Sequence, residues 1–421
     1  MIAWWTVERR EELRLVAIAL AITVAQIIFA TLCGRGNTWH DRYISLCTWD
    51  GGWYANIVET GYHTSDPPNP TENISNVAFF PAYPVLTRFV VTITGLPTAL
   101  ALLVTAQFAA FLFWWFLLSH MKRWQIAPTV ATGVVMLTFC HPAAFYMVVT
   151  YADSLFMASM MALLFFGTRM GLSLWLTIGA AVAGFVCSAS RVVGAPLAAL
   201  PVVWAWNDLY PAVKSRLGVS ALFVRLWRYS FVSIATAFGT IGFFIYCSIR
   251  FGYWDLYMRT RAVGWGVSKT DYTALFAPRN FDVTLPRFQQ DLVTALHVSR
   301  LYVGLLIVAL FLVPIIDYSV GWLRNNSGFS RRTPFYLAAW LLVFFSASGS
   351  GLADGRYIGF LRYGFYSHVP LLLGILHARH DYFGDRTPAL GSQIAVFLAC
   401  ALGLALQSSF CYQFAHSMMV S

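Results

Sequence analysis

Eleven stretches of this chain are apolar, each close to the roughly 20 residues that a helix needs to cross a bilayer. They lie near residues 13–33, 98–119, 128–149, 153–168, 172–190, 192–207, 231–250, 301–318, 334–349, 357–376 and 389–411. Apolar residues make up 58% of the 421 residues and charged residues only 11%, so a soluble fold would leave large apolar patches in water. We predict an all-α polytopic membrane protein with about eleven transmembrane helices, forming a single integral membrane domain over residues 1–421.

The charged residues predict which helix ends face the cytoplasm, because cytoplasmic loops are enriched in Lys and Arg. With the first span retained as an anchor and the N-terminus inside, the cytoplasmic face holds 15 basic and seven acidic residues, and the outer face 13 basic and 11 acidic. The excess of basic residues is thus explained by cytoplasmic helix ends beside membrane lipids. No basic run or motif indicates binding to nucleic acid. We expect the inner membrane of a bacterium or the ER membrane of a eukaryote.

One apolar segment, residues 79–97, does not fit as a complete span. It is interrupted by two prolines, Arg88 and Gly95. A full crossing would place every later loop on the opposite side of the membrane. We predict a re-entrant or interfacial segment, which is tolerated at membrane depth only where protein or a water-filled cavity surrounds it. It would end a first outer loop over residues 34–97, and a second large outer loop would cover residues 251–299.

Unusual polar residues collect on the outer face in this orientation. The first outer loop contains TWDGGWY at 48–54 and ends in NVAFFPAYP at 76–84. Later outer helix ends supply YADS at 151–154, then Arg191 and Arg362. Ionisable groups near membrane depth are expensive and are usually paired or functional, so these segments mark a candidate site.

Asp50 has two interpretations. An Asp before two glycines is common in turns, and beside Trp49, Trp53 and Tyr54 it would belong to an interfacial aromatic belt. Alternatively, a partly desolvated carboxylate beside an apolar wall would take a proton from an attacking hydroxyl. The two glycines would then let a substrate approach the backbone closely.

The other charged residues of the outer face also leave alternatives open. Asp153 and Arg191 either form a structural ion pair or bind a ligand. Arg356 and Arg362 are six residues apart and share no helix face, so one would bind phosphate while the other extends to the membrane surface. The basic and aromatic loop 251–299 either forms an amphipathic helix on anionic lipid or steers a phosphate-bearing lipid, since arginine suits phosphate.

No metal or cofactor is expected. The seven cysteines include no CxxC motif, and Cys33 and Cys47 are the pair that a disulfide would join. His63 and His141 lie near the candidate site, but no spacing of His, Asp and Glu resembles a metal cage.

Taken together, the outer-face motifs resemble the GPI mannosyltransferase 2 (PIG-V type) family, including its bacterial members, within the glycosyltransferase C superfamily. The similar residues are Trp49-Asp50 with Trp53-Tyr54 and Gly61-Tyr62, Phe79-Phe80-Pro81 with Tyr83-Pro84, YADSLF at 151–156, Arg191-Val192-Val193-Gly194, and Arg362-Tyr363 before Pro370. They fall in family order across most of the chain. The chain departs from the family at Thr48, where a basic residue is common, and at Asp153, where Glu is common.

The resemblance implies a glycosyltransferase C-like membrane enzyme that transfers mannose from a polyprenyl- or dolichyl-phosphate donor at the outer or lumenal face. Asp50 would be the general base, and inversion would give an α-linked product. Arg191 and Arg362, with Arg356 next, would bind the donor phosphate, and the acceptor would be a glycan, lipid or protein. The residues expected to bind the substrates are Trp49, Trp53, Tyr54, His63, Phe80, Pro81, Tyr83, Asp153 and Ser154.

The competing class is a transporter or lipid flippase without chemistry. Such proteins are marked by inverted repeats, broken helices near the midplane and ionisable residues within spans. The sequence shows no repeat, and its spans are almost free of charge apart from Asp317 near a predicted cytoplasmic end. A purely structural membrane subunit would leave the polar clustering unexplained.

Overall fold

The computed structural model describes residues 2–64, 75–214, 219–265, 292–323, 329–349, 360–384 and 386–416. Every regular element in these ranges is helical, which confirms the all-α prediction. The α-helices are α1 (Ile2–Leu32), α2 (Trp39–Ile44), α3 (Asp50–Thr60), α4 (Ala82–Thr94), α5 (Thr98–Arg123), α6 (Pro128–Phe139), α7 (Asp153–Gly167), α8 (Leu174–Ser190), α9 (Leu200–Lys214), α10 (Val219–Phe251), α11 (Leu256–Trp265), α12 (Leu292–Leu323), α13 (Phe329–Gly349), α14 (Phe360–Phe383) and α15 (Leu390–Ala415).

Six segments of the described chain are helical, long and apolar enough to cross a membrane. They are Arg10–Leu32, Thr98–Arg123, Val192–Leu209, Leu222–Phe251, Leu301–Leu323 and Leu390–Ala415. Apolar side chains such as Ile234 and Ile249 on α10 and Phe397 on α15 are largely exposed, as lipid-facing residues are. Helices α4, α6, α7 and α8 are apolar but shorter. The chain is a multi-pass membrane protein.

The predicted span at 128–149 is wrong in its second half. Helix α6 ends at Phe139, and residues 140–152 continue as buried, mostly irregular chain with a 3-10 turn at Ala144–Met147. Non-helical backbone at membrane depth must be enclosed by protein, and α15 provides part of that cover. A Cβ atom on Gly403 of α15 would lie 2.3 Å from the Cys140 carbonyl oxygen, so glycine permits this close packing.

The interrupted segment 79–97 contains the short helix α4. Its 13 residues extend about 20 Å, less than the roughly 30 Å of a hydrocarbon core. Gly95, with a φ of 68°, ends the helix. One face exposes Val85 and Phe89, while the other buries Tyr83. The length agrees with the prediction of an incomplete span, and its depth in the membrane stays a prediction.

Contacts between helix ends define two ends of the helical bundle. Lys122 Nζ at the end of α5 lies 3.4 Å from Glu12 Oε1 near the start of α1. The Arg123 guanidinium donates to the Phe165 carbonyl at 2.8 Å and to Thr168 Oγ1 at 2.9 Å, where α7 ends. The candidate site lies at the opposite end, where α1 and α8 end and α7 and α14 begin.

The orientation of these ends is a prediction that cysteine labelling can check. In a background with serine at Cys33 and Cys47, we expect Lys122→Cys to be protected from an impermeant maleimide added outside intact cells, and to label after permeabilisation. His40→Cys, on α2 at the site end, is the matched control and should label from outside. Labelling at position 122 together with protection at position 40 would show that the topology is the reverse of the predicted one.

Candidate active site

Four charged side chains from separate elements meet at one end of the bundle. Asp50 begins α3, Asp153 begins α7, Arg191 directly follows α8, and Arg362 lies in the first turn of α14. Arg362 Nη1 lies 3.3 Å from Asp50 Oδ2, and its Nε lies 3.6 Å from Asp153 Oδ1. Arg191 Nη2 lies 2.5 Å from Asp153 Oδ2. The structure thus joins the four residues into one ion-pair network.

The two carboxylates of this network differ in accessibility. The Asp153 side chain is 1% exposed; Arg191 binds one of its oxygens, and the Tyr366 hydroxyl donates to the other. The Asp50 side chain is 23% exposed, and among the described residues only its Oδ2 accepts a hydrogen bond, from Arg362. Asp153 is therefore held in a buried ion pair, one of the two arrangements that the sequence left open, and the Asp50 carboxylate is the more accessible of the two.

Strained backbone places Asp50 at the start of α3. The preceding residue, Trp49, has a φ of 53°, a conformation that costs a bulky residue about 1–3 kcal/mol. Two hydrogen bonds hold it: Trp49 Nε1 donates to the Phe414 carbonyl at 3.3 Å, and the Asp50 amide donates to the Tyr151 hydroxyl at 3.3 Å. At a helix N-terminus a carboxylate is electrostatically favoured.

The two glycines after Asp50 have different surroundings. A Cβ atom on Gly51 would lie 2.1 Å from Thr150 Oγ1 and 3.1 Å from Thr150 Cβ, whereas one on Gly52 would meet no atom within 4 Å. Gly51 therefore lets α3 pack against residues 140–152. The expectation that a substrate approaches both glycines is wrong for Gly51, because protein already fills that space.

Substituting Gly51 and Gly52 one at a time distinguishes a role in helix packing from a role in substrate access to the backbone. We expect Gly51→Ala to lower the unfolding midpoint in detergent, since overpacking costs about 1–3 kcal/mol, and to lower turnover about 10- to 10²-fold because Asp50 moves. Gly52→Ala is the matched control and should leave the unfolding midpoint unchanged or raise it, as Ala favours helix. Equal loss of stability in both variants would contradict this packing role.

Aromatic side chains form a wall beside Asp50. Trp53 stacks on Phe79 at 5.9 Å between ring centroids, and Tyr54 meets Phe79 at 5.1 Å and Tyr83 at 4.9 Å, edge to face. The Tyr83 hydroxyl donates to the Leu102 carbonyl at 2.7 Å. Tyr54 and Tyr83 are buried, so they stabilise the position of the Phe79 ring and are not themselves exposed to solvent.

Phe80 and Pro81 lie at the start of α4. Phe80 is buried, with ring centroids 5.0 Å from Phe243 on α10 and 4.9 Å from Tyr257 on α11. Pro81, half-buried, caps the N-terminus of α4. Phe80 therefore connects the segment that precedes α4 to α10 and α11.

The remaining predicted site residues have diverse surroundings. The His63 amide donates to Asn76 Oδ1 at 3.0 Å, and the side-chain amide of Asn76 also donates to Asn56 Oδ1 at 2.8 Å. Asn76 therefore fixes the chain that follows α3. Ser154 is fully buried. Arg356 lies outside the described residues.

Tyrosines surround the network, and the sequence interpretation assigned no role to most of them. The Arg362 guanidinium lies over the rings of Tyr151 at 4.9 Å and Tyr146 at 5.3 Å, and donates to the Tyr363 hydroxyl at 3.3 Å. Tyr366 was missed altogether. Its spacing of four from Arg362 on one helix places both on the same face, a signal that would have found it.

Burial raises the pKa of the Tyr54 phenol in α3 above its ordinary value; the nearby charge of Arg191 lowers it by a smaller amount, and that of Asp50 raises it. The Tyr54 side chain is therefore a neutral hydroxyl near neutral pH.

No group of three metal-ligating side chains occurs in the described part of the chain. All seven cysteines are free. Cys33 and Cys47, the pair that a disulfide could have joined, are therefore not bonded; the Cys33 thiol, directly after α1, lies 4.0 Å from the Ser408 carbonyl oxygen on α15.

Comparisons with known proteins add a similarity in structure. No family model matches the chain, and no curated protein matches it. Among solved structures it is similar to the archaeal oligosaccharyltransferase AglB from Archaeoglobus fulgidus in complex with an inhibitory peptide and a dolichol-phosphate, with a TM-score of 0.43 and 11% identity over 96% of this chain. This chain matches 56% of the length of that protein. The resemblance to the GPI mannosyltransferase 2 family rests on the sequence motifs alone.

Proposed function

We propose that this protein is a membrane glycosyltransferase that transfers mannose from a polyprenyl- or dolichyl-phosphate donor to an acceptor at the outer or lumenal face. The observation that carries the proposal is a partly exposed carboxylate, Asp50, in direct contact with Arg362, which shares the counter-ion Asp153 with Arg191. Such a pairing offers a proton acceptor and cations for an anionic leaving group within one site.

Asp50 is the proposed general base. Its Oδ1 accepts the proton of the acceptor hydroxyl while the hydroxyl oxygen attacks the anomeric carbon of the sugar. The Arg362 contact at 3.3 Å to Oδ2 orients the carboxylate. The new glycosidic bond forms as the bond from the anomeric carbon to the phosphate oxygen breaks, so a β-linked donor gives an α-linked product.

Arg191 and Arg362 are the proposed ligands of the departing phosphate. The phosphate leaves as an anion and needs charge stabilisation rather than a proton, and the planar guanidinium binds phosphate oxygens with two parallel hydrogen bonds. Asp153 holds both arginines in place through its two oxygens. Their guanidiniums are therefore preorganised, which lowers the reorganisation needed during the reaction.

The donor class follows from the position of the site at the ends of membrane-spanning helices. A lipid-linked sugar can keep its prenyl chain in the bilayer while its phosphate reaches the arginines. The chain has no glycine-rich nucleotide-binding motif, which favours a lipid phosphate over a nucleotide sugar. The motifs that resemble the GPI mannosyltransferase 2 family favour mannose.

A reconstituted assay tests the proposal. Purified protein in liposomes is incubated with radiolabelled polyprenyl-phosphate-mannose and membrane extract, and the labelled products are separated. We expect a labelled, α-mannosidase-sensitive product together with release of polyprenyl phosphate, and no product from labelled GDP-mannose alone. Movement of unchanged donor across the bilayer without product would instead show a flippase.

A further inference from the structure

Helix α11, the described start of the predicted 251–299 loop, packs against elements that form the candidate site. It packs against α10 and against the 3-10 turn Asn76–Ala78. Leu256 and Tyr257 are buried, and Tyr257 meets Phe80 edge to face at 4.9 Å. One side of α11 is thus fixed to the elements that form the aromatic wall.

The two arginines of α11 occupy different environments. Arg259 is an exposed residue, and its Nε forms an ion pair with Asp255 Oδ2 at 2.8 Å, one helical turn away. Arg261 is less exposed, and its Nη1 donates to the Tyr257 hydroxyl at 3.1 Å. Val192, the residue after Arg191, packs against the same cluster of Phe80 and Tyr257, so Arg261 and Arg191 lie on neighbouring elements.

Two guanidiniums lie beside the Tyr363 ring, and Arg261 is on the helix that packs next to them. Arg362 lies 5.0 Å and Arg191 5.6 Å from the ring centroid. Like charges gathered at a site repel one another; the carboxylates of Asp50 and Asp153 offset part of that repulsion, and an anionic ligand would offset more of it. Perturbed clusters of this kind are common at functional sites.

We propose that Arg261 binds the phosphate of the lipid-linked donor together with Arg191 and Arg362. This inference rests on the proposed function. The donor phosphate is a diester with one negative charge, and the polyprenyl phosphate product is a monoester with up to two. A third cation therefore stabilises the departing phosphate more than the bound donor, which raises the rate of transfer.

The hydrogen bond that Arg261 donates to the Tyr257 hydroxyl orients its guanidinium. A charge-assisted hydrogen bond to a phosphate oxygen is about twice as strong as a bond to a neutral partner. We therefore expect the guanidinium to exchange the phenol for the phosphate when the donor binds. Removing the phenol hydroxyl should leave this binding intact.

Direct binding tests Arg261 without any measurement of turnover. Undecaprenyl phosphate is titrated into purified wild type, Arg261→Ala and Arg259→Ala in detergent, with undecaprenol as the uncharged control ligand. We expect Arg261→Ala to weaken phosphate binding about 10- to 100-fold, and Arg259→Ala to change it less than about twofold. Undecaprenol should bind all three proteins equally. Tyr257→Phe should bind the phosphate like wild type.

Several outcomes would overturn the role of Arg261. Equal phosphate affinity in wild type and Arg261→Ala, or an equal loss in Arg261→Ala and Tyr257→Phe, would show that Arg261 only supports α11. Arg261→Lys keeps the charge and should retain part of the affinity, which excludes misfolding as the cause of a loss. If the wild type transfers the sugar but Arg261→Ala binds the phosphate as tightly as the wild type, only the role of Arg261 is contradicted. If phosphate binding depends on Arg261 but the wild type transfers no sugar, only the proposed function is contradicted.

Discussion

Asp50→Asn should lower the rate of sugar transfer by about 10²- to 10⁴-fold, the usual contribution of a general base, while donor binding changes little. The amide keeps the shape of the side chain but cannot accept the proton of the acceptor hydroxyl. Arg362 keeps its second carboxylate partner, Asp153, at 3.6 Å. The donor phosphate ligands therefore stay in place in this variant.

Initial rates at saturating donor, together with a separate donor titration, measure this effect. Glu59→Gln is the matched control, because Glu59 is an exposed carboxylate near the other end of the same helix α3. It should transfer mannose like wild type. If Asp50→Asn folds normally and retains the wild-type rate, Asp50 is a turn residue, since Asn serves equally well in turns.

The helical architecture could be predicted because apolar length is a direct physical signal of a membrane-crossing helix. The same signal failed at residues 140–149. That segment is apolar because protein buries it, and its backbone is irregular between α6 and α7. Hydropathy alone does not distinguish a side chain that faces lipid from one that faces α15 or α3.

Most of the charged network could be predicted because its members stand at helix ends that share one side of the predicted topology. Asp50, Asp153, Arg191 and Arg362 were all candidates from the sequence, and the structure brings them together. Which carboxylate faces the substrate could not be predicted, because that depends on burial. The exposed fractions of 23% for Asp50 and 1% for Asp153 provide the distinction.

Gly51 and Arg261 show why local sequence does not identify the partner of a residue. A glycine beside a candidate base suggests close approach of another group, but the group is Thr150, which is distant in sequence. Arg261 has the same sequence environment as Arg259, two residues away. Only the packing of α11 against the aromatic wall distinguishes the two arginines.

Asp153→Asn should destabilise the protein more than any other substitution considered, by about 3–5 kcal/mol, the usual cost of breaking a buried ion pair. The substitution leaves Arg191 and Arg362, whose side chains are 12% and 14% exposed, without their shared counter-ion. It also removes the charged acceptor of the Tyr366 hydroxyl. Both phosphate ligands would then shift, so donor binding and turnover should fall together.

The free energy of unfolding in detergent measures this effect, with Asp208→Asn as the matched control. Asp208 pairs with Arg225 at 3.1 Å and accepts a hydrogen bond from the Tyr229 hydroxyl at 3.0 Å, but the ion pair is far more exposed than that of Asp153, at 36% and 34%, and ion pairs open to solvent contribute about 1 kcal/mol or less. Asp50→Asn should resemble this control in stability, because Asp50 is also partly exposed. If Asp153→Asn is as stable as Asp208→Asn and loses only turnover, Asp153 contacts the substrate directly and is not the fixed counter-ion inferred from its burial.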